Sequence, residues 1–489
     1  MNRGNAGKRQ RRHCCLLVVI ALSLPTYVLA GQSQSLSLSD AISLAISDNP
    51  AIKNACDVMT GTRYGLDIAR SEFGFRFSPQ ATSGLGMDTE TSQSTTLNLS
   101  KKFSTGTSIE LSSGTSSSDK GFYRSFTGVT LFQSLFRFGP LINTNNVTEA
   151  KRRIGTAGRQ AELTKEQVIM DVITAFYRIV GQKLLLGVWT RSLEQAQQLL
   201  AASKAKLERG SATKIDVFRT ESQAAAAEGS LFEAQEALQE AKDSLKILLN
   251  KDLVEEIDVE SQIVSSAIVP EEGDLIEKAL HNRVDLQEAA DQVKDAERNT
   301  LIAERNQYPD LRVGLNYSLT GKGQHFTDSL GFDNSRFHVL FSSSIPLDFA
   351  AERAQYQQKR LDLVRKKRDL EDLQKHTAQE VRQALRHLAT VQKRIDIQEK
   401  NLQAIQAGLD LVRFRFDRGY ADLVEVLRAE DSLTQAQREE ITLRIEQVLS
   451  ALQLRKVAGL LGPFLNTLTE DGTQPDPCVQ RTQATNGRR

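Results

Sequence analysis

Proline and tryptophan are scarce in this 489-residue chain, at 10 and 1, and aromatic residues make up only 6%. The length alone would allow about three globular domains, but ordinary domains are not built from such a mixture. A basic excess is also missing. Against 62 Lys and Arg stand 61 Asp and Glu, a formal charge of +1, which excludes a nucleic-acid partner held by bulk charge. Four cysteines are too few for a disulfide scaffold. After Ala30 there is no apolar run of the roughly 18 residues a transmembrane helix needs, so any membrane span has to be a β-barrel. Enzyme signals are close to absent. His281, His325, His338, His376 and His387 are scattered, and only His325 and His338 flank a common loop. Gly321-Lys322-Gly323 lacks the spacing of a phosphate loop and reads as a surface hairpin. No catalytic residue, cofactor or metal site is expected.

What the chain has in abundance is Ala, Leu, Gln, Glu, Lys and Arg, the mixture of long helices. Residues 1–30 come first and are set aside. Arg3, Lys8, Arg9, Arg11 and Arg12 precede the apolar core Leu16 to Leu24, and Val28-Leu29-Ala30 is a small-residue cleavage site. This is a secretory signal peptide. Its removal takes the formal charge from +1 to about −4 and leaves Cys56 and Cys478, whose pairing the sequence leaves open.

Between 381 and 416, Val381, Ala384, Leu388, Val391, Ile395, Gln398, Leu402, Ile405, Leu409, Val412 and Phe416 recur at spacings of three and four. This is a heptad seam. A shorter seam of small residues runs Val147, Ala150, Ile154, Ala157, Ala161. Helices are expected over 39–78, 141–208, 213–250, 274–308, 347–417 and 421–461. The two longest would be rods of ~105 Å.

Two islands interrupt the helices. The first, Pro79 to Gly139, is rich in Ser, Thr and Gly, with Leu97, Leu99, Phe103, Ile109 and Leu111 alternating with polar residues. In the second, Leu311, Val313, Leu315, Tyr317 and Leu319 alternate strictly, as do Phe337, Val339 and Phe341. Period two predicts strands, and Leu311 to Leu319 is long enough to cross an outer membrane.

The strongest signal is an internal repeat. Residues 209–221, beginning Arg209-Gly210, align without gaps on 418–430, beginning Arg418-Gly419, at an offset of 209. Each half reads as helix, strand island, long helix, Arg-Gly turn, helix. The expected organisation is a signal peptide over 1–30, a first repeat over 31–269 with island 79–139, tip 209–212 and connector 251–269, a second repeat over 270–462 with island 309–346 and tip 418–421, and an irregular tail over 463–489. Summed lengths suggest that helices 213–250 and 274–308 stack end to end along one long helix, and helices 421–461 and 39–78 along the other. One protomer would present four helical columns and at least four strands. Four strands cannot close a barrel, so the protein must oligomerise. One hairpin in the first island would give a trimer twelve strands; four segments would give eighteen. The heptad seam alone also fits a soluble periplasmic coiled-coil adaptor or structural protein.

The motif Leu38-Ser39-Asp40-Ala41-Ile42-Ser43-Leu44-Ala45-Ile46-Ser47-Asp48-Asn49-Pro50 resembles the opening helix of the TolC-like outer-membrane efflux proteins. Asn282-Arg283-Val284-Asp285-Leu286 resembles its second-half counterpart, with Val284 where the family usually has Pro, and Ile345-Pro346-Leu347 resembles the end of the last strand. The resemblance covers roughly 36–465. It implies a mostly α fold with a β-barrel part: a long antiparallel coiled-coil α-helical barrel plus a trimeric transmembrane β-barrel, internally duplicated. It also implies a homotrimer in outer-membrane lipid that conducts substrates from an inner-membrane pump through a periplasmic adaptor protein to the exterior. Arg209, Gly210, Arg418 and Gly419 would form the adaptor-docking tips. The family's gate places acidic residues six and nine positions after the second tip glycine. Glu425 matches the first, Arg428 stands at the second, and Asp216 is the equivalent in the first half; Glu425 and Arg428, at i and i+3, are expected to pair.

Overall fold

The computed structural model describes residues 35–85, 91–118, 121–136, 139–260, 272–344 and 348–462. The signal peptide, the tail from 463, Ile345-Pro346-Leu347 and residues 261–269 of the connector lie outside them.

The chain opens with α1 (Leu38–Asp48), where the Ser37 side chain accepts from the Asp40 amide at 3.1 Å. It does not continue as one helix to residue 78. Asn49 turns to an extended conformation, Pro50 starts α2 (Pro50–Ser71), and Phe75 already lies in a strand. Pro50 fits at the first helical position because it has no N–H to satisfy, and Asn49 caps the new helix by accepting from the Ala51 amide at 2.8 Å.

A sheet of β1 (Phe75–Leu85), β2 (Thr91–Lys102), β3 (Thr107–Ser118) and β4 (Phe122–Ser134) follows, joined later by β5 (Asp310–Gly323) and β6 (Asn334–Ser344). All neighbours are antiparallel, in the order β1-β2-β3-β4-β5-β6. The first island therefore starts at Phe75 rather than Pro79 and holds four strands. The register places Phe77, Leu99, Leu111, Val129, Tyr317 and Phe337 in one row across all six strands, and Lys101, Ile109, Leu131, Leu315 and Val339 beside it on the same face. The opposite face carries Arg76, Asn98, Glu110, Thr130, Asn316 and His338. Phe77 and Phe337 are each 64% exposed. Among the described residues, only a single helical turn between β5 and β6 rests on this apolar face within the protomer, at its far end. In water the face would be costly, at about 25 cal/mol per Å²; against lipid it is at home.

The long helices are α4 (Asn145–Glu208), preceded by the single turn α3 (Pro140–Asn143), and α9 (Ala350–Asp417). The expected helix over 274–308 is two: α6 (Glu272–Asn282) and α7 (Val284–Arg305), parted at Arg283. Arg283 has φ −63 and ψ 126, and Asn49 has φ −62 and ψ 127. The two halves thus break at the same place with the same backbone. Val284 imposes no such break; the Arg283 side chain fastens it, donating to Asp285 at 3.0 and 2.6 Å and to Glu380 on α9.

The stacking differs from the one the lengths suggested. Helix α5 (Lys214–Leu248) and α2 both pack along α4, and the Asn49 side-chain Nδ2 donates to the Leu248 carbonyl at 2.7 Å where they abut. Helix α10 (Leu423–Val457) and the α6–α7 pair pack along α9, where Leu275, Ala279, Val381, Leu388, Leu454 and Ala458 form one buried cluster. Each half supplies its own short helices. Helix α4 also meets α7 and α10, so the columns run α2/α5, α4, α7/α10, α9. An ion ladder joins the halves: Arg152 contacts Asp291 at 2.8 Å and Asp295 at 2.9 Å, and Arg159 pairs with Glu288.

The main core sits where α1, α2, α4, α5 and α10 meet, around Ile42, Ile52, Val172, Ile173, Leu245 and Leu461. Cys56 is part of it and is disulfide-bonded; its partner lies outside the described residues. With Cys14 and Cys15 in the signal peptide, the expected partner is Cys478. A non-reduced digest of the mature protein should yield the Cys56 and Cys478 peptides as one linked species that reduction separates, whereas alkylation of both thiols without reductant would contradict this.

Candidate functional site

Helices α4 and α9 end in the same way. Arg209 and Arg418 close them in the αR region, and Gly210 and Gly419 follow at φ +74 and +78. The Ser211 amide then donates to the Lys206 carbonyl at 2.8 Å, and the Tyr420 amide to the Arg415 carbonyl at 2.8 Å. These six-to-one bonds across a left-handed glycine satisfy carbonyls that would otherwise end the helix unpaired. A Cβ at either glycine would meet nothing within 4 Å. The turns are the free ends of two helical hairpins, side by side.

The hairpins touch near these ends. Lys206 of the first stands 3.8 Å over the Phe416 ring of the second, and Gln223 of α5 donates to Asp431 of α10 at 2.8 Å. Within each hairpin the duplication extends to an ion pair: Lys204 to Glu221 at 3.7 Å and, displaced by the same 209 residues, Arg413 to Glu430 at 2.9 Å. The second is the tighter, with the Glu430 side chain only 12% exposed. Sequence reasoning missed both pairs. Extending the aligned segment a few residues upstream matches Lys204 with Arg413 and would have found them.

The first turns of α5 and α10 are where the halves diverge. Thr213 caps α5 in a reciprocal box: its hydroxyl accepts from the Asp216 amide at 3.2 Å, and the Asp216 carboxylate accepts from the Thr213 amide at 2.9 Å and hydroxyl at 2.7 Å. Those bonds hold the Asp216 carboxyl below its ordinary range. The second half has Asp422 and Glu425 at these positions, two acceptors with no hydroxyl between them, and Asp422 makes no side-chain cap bond. Glu425 does not pair with Arg428. The α9 turn brings Arg415 to it first, Nη1 lying 4.0 Å from Oε2, while the other guanidinium nitrogen donates to the Tyr420 carbonyl at 3.1 Å. Arg428 is exposed and has no ion pair among the described residues.

The structure therefore brings Arg209, Gly210, Arg418, Gly419, Asp216, Glu425 and Arg428 to one end of the molecule, opposite the sheet. It separates His325 from His338. His325 precedes the short helix of the β5–β6 loop, and His338 lies on the polar face of β6. Among the described residues, no three His, Cys, Asp or Glu side chains gather as a metal site. At the second-half break a cleft of about 660 Å³ contains Glu166, Arg283, Asp285, Glu380, His387 and Lys456.

Solved structures share the architecture. The Campylobacter jejuni CmeC outer membrane channel matches with a TM-score of 0.68 at 13% identity, covering 90% of this chain and 90% of its own. The outer membrane protein VceC from Vibrio cholerae matches at 0.66 and 17%, covering 86% of this chain and 96% of its own. The Neisseria gonorrhoeae MtrE outer membrane channel, in its open state, matches at 0.65 and 16%, covering 87% of this chain and 89% of its own. No curated protein matches the chain in sequence. A soluble adaptor no longer fits: the sheet exposes a continuous apolar face, and the whole fold is that of the channels. The family model for outer membrane efflux proteins matches residues 41–251 and 275–460, both halves of the repeat, and the chain belongs to that family.

Proposed function

We propose that this outer-membrane efflux channel works as a homotrimer whose barrel has eighteen strands and whose periplasmic canal has twelve helical columns. The observation that carries this is the six-stranded sheet with free edges at β1 and β6. Six strands are fewer than the roughly eight a barrel needs, and an edge left open in lipid would strand its N–H and C=O groups. Because β1 and β6 run in opposite directions, β6 of one protomer meets β1 of the next antiparallel, and three copies close the ring.

The hairpin ends are then six related tips in the periplasm. They accept helical hairpins of an adaptor protein, which links the channel to an inner-membrane pump. Just inside the tips, Glu425 and Arg428 line the constriction. Three Glu425 carboxylates, each flanked by Arg415, and three Arg428 guanidinium groups leave no net negative charge there.

Planar bilayers test both the conduit and its gate. The purified protein should conduct ions, and Arg428→Asp should raise its cation selectivity and its sensitivity to divalent cations. A protein that forms no channels would contradict the conduit, and unchanged selectivity in Arg428→Asp would place that residue away from the pore.

A further inference from the structure

The connection between β5 and β6 is more than a hairpin loop. It contains a short helix, α8 (Phe326–Ser329), that folds back onto the sheet. Residues 315, 317, 319, 321 and 323 share the apolar face of β5, and the last two are glycines. A Cβ on Gly321 would lie 2.1 Å from the Ser329 carbonyl oxygen, and one on Gly323 would lie 2.4 Å from the Asp328 Cβ. Only glycine lets α8 come this close. Ser125, opposite Gly321 on β4, meets Ser329 at 2.7 Å, hydroxyl to hydroxyl, and both are buried. Phe332 returns the chain to β6 at φ 46, a left-handed conformation that bulky side chains rarely adopt.

The helix therefore rests on the same face as Val129 and Tyr317, at its far end. Phe326 and Leu330 stay 49% and 44% exposed there, and the Phe326 ring meets Tyr123 edge to face at 6.3 Å. At the periplasmic end of this face, Phe75 and Phe103 flank Lys101, whose ammonium sits 4.7 Å from the Phe75 ring centroid. From the level of Val313 and Phe341, ten residues up β5 reach Gly323. At ~3.3 Å per residue and a tilt of ~40°, that is about 25 Å, the height of an outer-membrane apolar band. At the upper level β1, β2 and β3 present only Ser83, Gln93 and Ser117.

We infer that α8 is a lipid-contacting ledge that sets Phe326 and Leu330 into the outer leaflet at its headgroup boundary, supplying the aromatic girdle that β1 to β3 lack at this level. The assignment rests on the apolar face being the lipid face. Its occupant is lipid because the ledge continues that face directly. Trp189 is the single tryptophan, so a Trp189→Phe background gives a clean reporter. Phe326→Trp and, separately, Val129→Trp would be placed in it and reconstituted in phosphatidylcholine vesicles with or without bromine on the acyl chains. Brominated lipid should remove most of the emission of both reporters, and adding Gly321→Val, which displaces α8, should return the Phe326→Trp signal to that seen in unbrominated lipid and open it to aqueous acrylamide. Quenching of Val129→Trp alone would overturn the ledge and leave the barrel face intact. Quenching of neither would overturn both.

Discussion

A chain carrying Gly210→Trp together with Gly419→Trp is expected to assemble like the native protein and to export nothing. The cost to the fold is small. Both positions have φ near +75, where an ordinary residue loses roughly 1–2 kcal/mol. A side chain there meets nothing within 4 Å, and the packing that holds the molecule together lies well above, around Ile173 and Leu245. The functional cost is large because the new rings project from the two ends at which an adaptor would have to approach the backbone closely. Substrate accumulation should rise to that of cells lacking the gene, with trimers still present on unheated gels. Normal export by the double variant would refute docking at these turns.

The largest stability effect is expected at Arg283. Arg283→Ala would leave two carboxylates, Asp285 and Glu380, without their shared cation. Full burial would make this a loss of 3–5 kcal/mol; with the Asp285 and Glu380 side chains 38% and 49% exposed, about 2 kcal/mol is expected. The pH dependence has a definite sign. Burial alone would raise the Asp285 carboxyl, but hydrogen bonding to Arg283 and its charge hold it below the ordinary value. In the native protein the pair therefore contributes fully above roughly pH 4 and is lost as pH falls through that lowered value. Without Arg283 the burial is opposed only by backbone bonds such as that from the Leu286 amide, the carboxyl rises from its lowered value, and protonation relieves the penalty. The deficit of the variant should shrink as the solution is acidified towards pH 4. Val284→Pro supplies a second arm. Residue 284 is the first of α7, and Arg283 already has the extended conformation that precedes proline. This substitution should stabilise by about 0.5 kcal/mol and recover part of the Arg283→Ala loss. Thermal melts of the helical signal in detergent would measure all three, and equal deficits at pH 7 and pH 4 would contradict the ion-pair account.

The same two sites show what the sequence made legible and what it hid. The rods could be read because their seams are long. Val381, Leu388, Val391, Ile395 and Leu409, named from spacing, are all buried. The Arg283 break could not be read, because Val284 is no punctuation and the side chain that holds the break reaches Glu380, 97 residues away. Length could not settle how the short helices stack. Each half has helices of 11, 22 and 35 residues, so either pairing sums to one long helix. The contact between Asn49 and Leu248 decides it. Four strands were harder to see in the first island than two in the second, because Ser and Thr fill both faces of their outer halves and only rows such as Phe77, Leu99 and Leu111 alternate cleanly. At the tip, spacing placed Glu425 beside Arg428, but the tertiary fold brings Arg415 to Glu425 instead.

Closure of the sheet between copies is the central claim, and electron cryo-microscopy of the detergent-purified, unheated protein tests it most directly. The expected particle has three chains, a single closed barrel of eighteen strands with β6 of each protomer paired to β1 of the next, and six helical tips at the far end. A barrel closed within one chain, or any number of copies other than three, would contradict it.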